Sequence, residues 1–341
     1  MAYTTINNPS EYFNTHLYSG NDTTNNQQVG LTPDLVWVKC RNVGSPTQHY
    51  IVDKVRGNEK YISSNATTAE QTDGNTFELV SGGFNLDGGN GWTNLTGRNY
   101  VSWNWKANGS GVSNTDGSIA STVSANTTSG FSIVKWTGTG SDGTIGHGLG
   151  VAPKMVIVKS LANTTYWMVY NANLGNAQEI YLNITNGSGA SSAWNSTTPT
   201  SSVISLDGGA GNGVNASGDY IAYCFAEKKG FSKFGSYVGN GNADGPFIYT
   251  GFKPAMVIYK RSDGVEGWMI QDNQRPGYNP MGGNLFPNNT NAESTDARFD
   301  FLSNGFKARS GNQNTNASTH IYMAFAEQPL VGTNNIPATA R

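Results

Sequence analysis

The chain has 341 residues, of which 13 % are charged and 36 % hydrophobic, with a formal net charge of −2. That charged share is about half the usual value for a globular domain, so amides, hydroxyls and glycine solvate the surface. The charge pattern lacks the clustered Lys and Arg of a nucleic-acid-binding protein, and no apolar run has the length of a membrane-spanning helix.

An arm of polar residues opens the chain at Met1–Ser10. The first informative phrase is Gly30-Leu-Thr-Pro33-Asp-Leu-Val-Trp-Val-Lys39: a glycine turn, a proline, and an apolar strand ending in lysine. His49-Tyr-Ile-Val-Asp53 reads as a second strand and Tyr100-Val-Ser-Trp-Asn-Trp105 as a closing aromatic strand. The same three pieces return as Gly150–Lys159, Trp167–Asn171 and Tyr220–Phe225. They return again as Gly251–Lys260, Trp268–Asp272 and His320–Phe325. The proline and the last aromatic are residues 33 and 105, 153 and 225, and 254 and 325, a spacing that varies by one residue. Such self-similarity marks a fold built by copying one unit.

The segments are short, rich in Val, Ile, Tyr, Trp and Phe, and bounded by Gly, Asn and Asp, which are strand signals. No stretch has helical periodicity with caps. The expected fold is all-β: three tandem antiparallel β-sandwich modules of about 100 residues each with little helix. Residues 1–107 form the first module with its N-terminal arm, and 108–129 a Gly/Ser/Thr/Asn linker. Residues 130–229 form the second module and 230–330 the third, these two packing as a rigid pair, and 331–341 an extended tail.

Few residues suggest chemistry. Glu227 and Glu327 both follow Phe-Ala at the end of a closing strand, but they belong to different repeats, the pattern of structural residues rather than of a glycosidase pair. Asp53 and Arg56 recur as Asp272 and Arg275, an Asp–Arg pair three apart that pins a turn or an intermodule contact; the second module has Asn171 and Leu174 there. The loops at Asp87–Gly91 and Asp207–Asn212 resemble loose calcium loops without the carboxylates of a tight site. The four histidines lack metal-ligand spacing, and Cys40 and Cys224 read as buried free thiols. Sequons such as Asn65–Thr67, Asn126–Thr128 and Asn183–Thr185 follow from composition, and no secretory signal opens the chain. No catalytic residue, cofactor or metal is expected. The binding candidates are Trp92 and Trp194, aromatics in Asn/Gly loops whose faces would stack on sugar rings.

Several longer runs are specific: Ala2–Phe13, Asn114–Asn126, Gly130–Val134, Gly146–Pro153, Phe231–Tyr237, Gly239–Gly241, Asp300–Phe306 and Pro337–Arg341. On these the chain resembles, over nearly its whole length, virion proteins of tailed bacteriophages of marine bacteria, many of them tail-fibre-like with lectin-like β modules. The resemblance implies a non-enzymatic structural protein of the virion, assembled in the host cytoplasm. Tail or fibre association and attachment to host-surface polysaccharide are expected, with other virion proteins as partners and a homo-oligomeric state. The alternative is a capsid decoration or appendage protein that stabilises its neighbours. A polysaccharide depolymerase would require a carboxylate pair in one cleft.

Overall fold

A computed structural model describes residues 3–74, 77–209, 213–332 and 337–339. Strands take 45 % of it and helix 2 %; the helical pieces are a 3-10 turn at Pro9–Glu11 and one turn at Gln313–Asn316. The expected all-β sandwich class is the one observed.

The first repeat carries β1 (Phe13–Ser19), β2 (Asn25–Gln28), β3 (Leu35–Cys40), β4 (Tyr50–Asp53), β5 (Lys60–Tyr61), β6 (Gln71–Thr72), β7 (Phe77–Val80), β8 (Gly83–Leu86) and β9 (Asn99–Trp105). The second carries β10 (Val112–Asn114), β11 (Ser121–Asn126), β12 (Phe131–Gly138), β13 (Gly143–Gly146), β14 (Met155–Ser160), β15 (Met168–Asn171), β16 (Gln178–Tyr181), β17 (Gly189–Ala190), β18 (Val203–Leu206) and β19 (Gly218–Phe225). The third carries β20 (Ser232–Asn240), β21 (Phe247–Tyr249), β22 (Phe252–Arg261), β23 (Met269–Asp272), β24 (Phe299–Leu302), β25 (Gly305–Ala308) and β26 (Ala317–Pro329).

Each repeat places its closing strand second in a larger antiparallel sheet, in the orders β1-β9-β3-β4 and β20-β26-β22-β23. The second repeat has the same core order, β12-β19-β14-β15, extended on both sides to eight strands. A smaller sheet covers one face of each: β2-β8-β7, β13-β18 and β21-β25-β24. The glycine opening each proline phrase turns the chain into the first long strand. Gly30, Gly150 and Gly251 have φ of 81°, 70° and 81°, a left-handed backbone that glycine adopts without steric cost.

Residues 108–129, expected as a linker, instead supply β10 and β11. The latter pairs along β12 from Ser121 opposite Trp136 to Asn126 opposite Phe131. Its Ser, Thr and Val residues tolerate an extended backbone, and the β12 edge satisfies their peptide groups, so a low apolar content did not prevent pairing.

The apolar runs are continuous because both faces of the larger sheets are covered. Val36, Val38, Tyr50, Val52 and Tyr100 point into the sandwich of the first repeat, beneath its small sheet. Leu35, Trp37, Ile51, Val101, Trp103 and Trp105 alternate with them and enter a second core that runs through all three repeats. This core joins the first repeat to the other two as it joins those two to each other. At its centre the three closing aromatics meet. Ring centroids of Trp105 and Phe225 are 6.5 Å apart, those of Trp105 and Phe325 5.8 Å, and those of Phe225 and Phe325 5.9 Å. Three equivalent residues in mutual contact define a pseudo-threefold axis.

Candidate functional site

The polar groups that recur in every repeat converge on the seams around this axis. The Oδ1 atoms of Asn65, Asn183 and Asn288 accept the backbone N–H of His49, Trp167 and Trp268, at 3.0, 2.9 and 2.9 Å. The ring of that aromatic then crosses to a neighbouring repeat. His49 Nε2 donates to Phe286 O (2.9 Å), Trp167 Nε1 to Ser63 O (3.0 Å), and Trp268 Nε1 to Tyr181 O (2.8 Å). The first repeat thus grips the third, the second the first, and the third the second. The His49 proton sits on Nε2 because Nδ1 accepts from Trp37 Nε1 (2.8 Å). Burial, reinforced by Lys39, holds His49 neutral far below the ordinary histidine range.

The lysine ending each phrase is buried as well. Lys39 Nζ donates to Thr47 Oγ1 (3.0 Å) and across the seam to Thr290 O (3.2 Å). Lys159 Nζ donates to Thr165 O (3.2 Å) and across to Thr67 O (3.0 Å). Lys260 Nζ donates to Arg261 O and Gly264 O within its own repeat. Burial lowers the pKa of each to about 8. Sequence reading assigned Asn65–Thr67 and Asn183–Thr185 to composition. With Asn288–Thr290 they are one repeated seam loop: Asn65 and Asn183 each lie 16 residues after the aromatic they bind and Asn288 lies 20 after its own, so the shared Asn-x-Thr was the signal.

Asp53 and Arg56 pair at 2.5 Å and Asp272 and Arg275 at 2.7 Å, with all four side chains fully buried. Each carboxylate also accepts a bond from the next repeat: Asp53 from Tyr223 OH (2.8 Å) and Asp272 from Trp103 Nε1 (2.9 Å). Trp103, Tyr223 and Met323 occupy equivalent places. The seam with Met323, which has no hydrogen to donate, is the one whose neighbour carries Asn171 and Leu174 instead of the ion pair. Glu293 joins Arg275 (2.8 Å) to Arg41 of the first repeat (2.8 Å). Burial opposes ionisation of Glu293, but the two guanidiniums outweigh it and lower its pKa.

The remaining candidates lie apart. Glu227 pairs with Lys233 at 2.8 Å, and Glu327 with Lys253 at 3.3 Å and Asn273 at 2.9 Å. Trp194, expected in an exposed loop, is fully buried against Tyr170 and donates Nε1 to Gln178 O (3.2 Å). Its apolar rings fill the second sandwich, so it presents no face to a sugar. Trp92 is half-buried, edge-on to Tyr61. In the first glycine loop Asp87 accepts from Thr24 Oγ1 (3.2 Å); in the second, Ala210, Gly211 and Asn212 lie outside the described residues. Among the described residues no three His, Cys, Asp or Glu side chains gather as a metal site. Both cysteines are buried and free.

The outer surface offers an aromatic face on the third repeat. Phe247 and Tyr249 flank buried Ile248 on edge strand β21 and are 45 % and 52 % exposed. Tyr3 extends this face, its OH 3.4 Å from Tyr249 OH, with Lys229 Nζ 4.5 Å from its ring centroid. The alternation Phe247-Ile-Tyr249 after Pro246 was the sequence signal for it. A separate polar cleft of about 250 Å³ lies on the second repeat, lined by Ser113, Thr122, Lys135, Thr137 and Asp219.

The fold and its seams define an all-β protein of three tandem, interlocked sandwich repeats. The chain belongs to the family described as a domain of unknown function, DUF7483, whose model matches residues 8–329. No curated protein and no solved structure matches it.

Proposed function

We propose that the chain is a non-enzymatic structural protein on the exterior of a tailed-phage particle, associated with the tail or its fibres and contributing to attachment to host glycans. The observation that carries the non-enzymatic part is the use of the recurring charged groups. Asp53, Asp272, Arg56, Arg275 and Glu293, with Lys39 and Lys159, are engaged in contacts that lock the repeats together, and Lys260 is buried within its own repeat. Such a body holds its surfaces rigid. The virion assignment is supported by the resemblance carried by the long runs quoted above.

The Tyr3, Phe247 and Tyr249 face supplies the glycan-binding chemistry, because aromatic rings offer flat apolar area next to polar tips. Gold-labelled antibody to the chain should decorate tails or fibres of intact particles, and the purified protein should compete with phage adsorption. The double substitution Phe247→Ala, Tyr249→Ala should abolish competition while leaving the thermal midpoint within a few degrees, since both rings are half exposed. Label over the head, with no competition, would favour the decoration role instead.

A further inference from the structure

We propose that β20 of one chain pairs antiparallel with β20 of a second copy, joining the two third repeats in one continuous sheet. The repeats themselves carry the argument. β1, β12 and β20 are equivalent outer strands beside the closing strand. The edge of β12 is covered by antiparallel β11. The edge of β1 lies against the β2 segment, with the β1 side chain Asn14 donating Nδ2 to Val29 O (2.6 Å) and Asn25 donating Nδ2 to the β1 carbonyl Ser19 O (3.0 Å).

The edge of β20 has neither cover. Ser232 N–H turns away from β26 to Lys228 O (2.9 Å), and Phe234 N–H to Glu227 Oε2 (3.5 Å). By the two-residue period of a strand, the N–H groups of Ser236 and Val238 point the same way. Among the described residues neither has a partner on that side. Ser236 is exposed, and Val238 is 68 % exposed. An open edge with an exposed apolar residue invites another strand unless charge or proline blocks it. Between Phe234 and Asn240 this strand has neither.

A second β20 fits as the occupant. A two-fold axis through Ser236 sets Phe234 opposite Val238 of the partner and Lys233 opposite glycine, so the two lysines stand at opposite ends. The result is two four-stranded sheets fused into eight strands, the number the second repeat already reaches within one chain.

Light scattering on the full chain across micromolar concentrations tests this, together with amide exchange of β20. A dimer is expected, with Ser236 and Val238 amides losing protection on dilution. Val238→Lys and Ser236→Pro should each raise the dissociation constant by roughly tenfold or more, and Val238→Lys, at an exposed position, should keep the wild-type thermal midpoint. A monomer throughout, or a dimer that both variants leave unchanged, would overturn the proposal.

Discussion

At the residue scale, the Asp–Arg pairs carry the clearest energetic consequence. Asp53 is fully buried, so replacing it with alanine leaves Arg56 charged and Tyr223 without its acceptor. Breaking such a pair costs about 3–5 kcal/mol, which urea titration of Asp53→Ala should register. The protein contains its own control in the seam with Asn171, Leu174 and Met323 at the equivalent places. The triple change Asp53→Asn, Arg56→Leu, Tyr223→Met copies that solution and should recover most of the loss, because it removes the charge, its partner and the donor together. Phe225→Ala removes one ring of the axial triangle, with an expected cost of about 3–5 kcal/mol. Asn288→Ala leaves the Trp268 N–H unpaired in the seam, for about 1–3 kcal/mol.

At the element scale, the strands of the proline phrase and the closing aromatic strand were legible because burial on two faces imposes an unbroken apolar run. Their recurrence also revealed the number of repeats. The β10–β11 ribbon was hidden, since Asn114–Asn126 has the composition of a loop and becomes a strand only through the β12 edge beside it. The seam residues were half legible. Asp53 with Arg56 and Asp272 with Arg275 stood out by spacing, whereas sequence alone could not tell that Lys39, Lys159 and Lys260 lie inside. A lysine at a strand end ordinarily reaches water; here Lys39 and Lys159 donate to a neighbouring repeat and Lys260 to carbonyls of its own loop, which are tertiary facts. Trp194 failed for the same reason, its Asn-rich neighbours indicating a loop that folds over its ring. The two equivalent side chains of β21, by contrast, follow the period of a half-exposed strand and could have been read directly.

At the scale of the whole molecule, a core common to three repeats couples their stability. Calorimetry should show one transition whose calorimetric and van't Hoff enthalpies agree, and three separate transitions would refute that coupling. The buried titratable groups shape the pH range of this transition. Folded Lys39, Lys159 and Lys260 titrate at about 8 against an ordinary 10.5. Between those values the unfolded chain binds protons that the folded one has released, so stability should rise with pH there. Burial raises Tyr18, Tyr223 and Tyr237, so above about pH 10 the unfolded chain ionises first and stability should fall again. On the acid side burial lowers His320 to about 4 and also depresses His49 and His147. The unfolded chain then takes up protons first, and stability should decline as pH falls through 6.5 towards 4. Thermal midpoints measured from pH 4 to 11 would trace the resulting dome, highest near pH 9–10.

Both ends of this arrangement meet at a single peptide group: the carbonyl of Gly251 accepts from Tyr3 OH at 2.8 Å and from Leu330 N–H at 3.3 Å. Since the third repeat also grips the second while the first grips the third, the three units form a ring in space although they are a line in sequence. Which unit comes first is then a matter of where the line was cut. A circular permutant opened at the turn before Gly230, with the Tyr3 and Leu330 segments joined beside Gly251, would present the same seams in a different reading order.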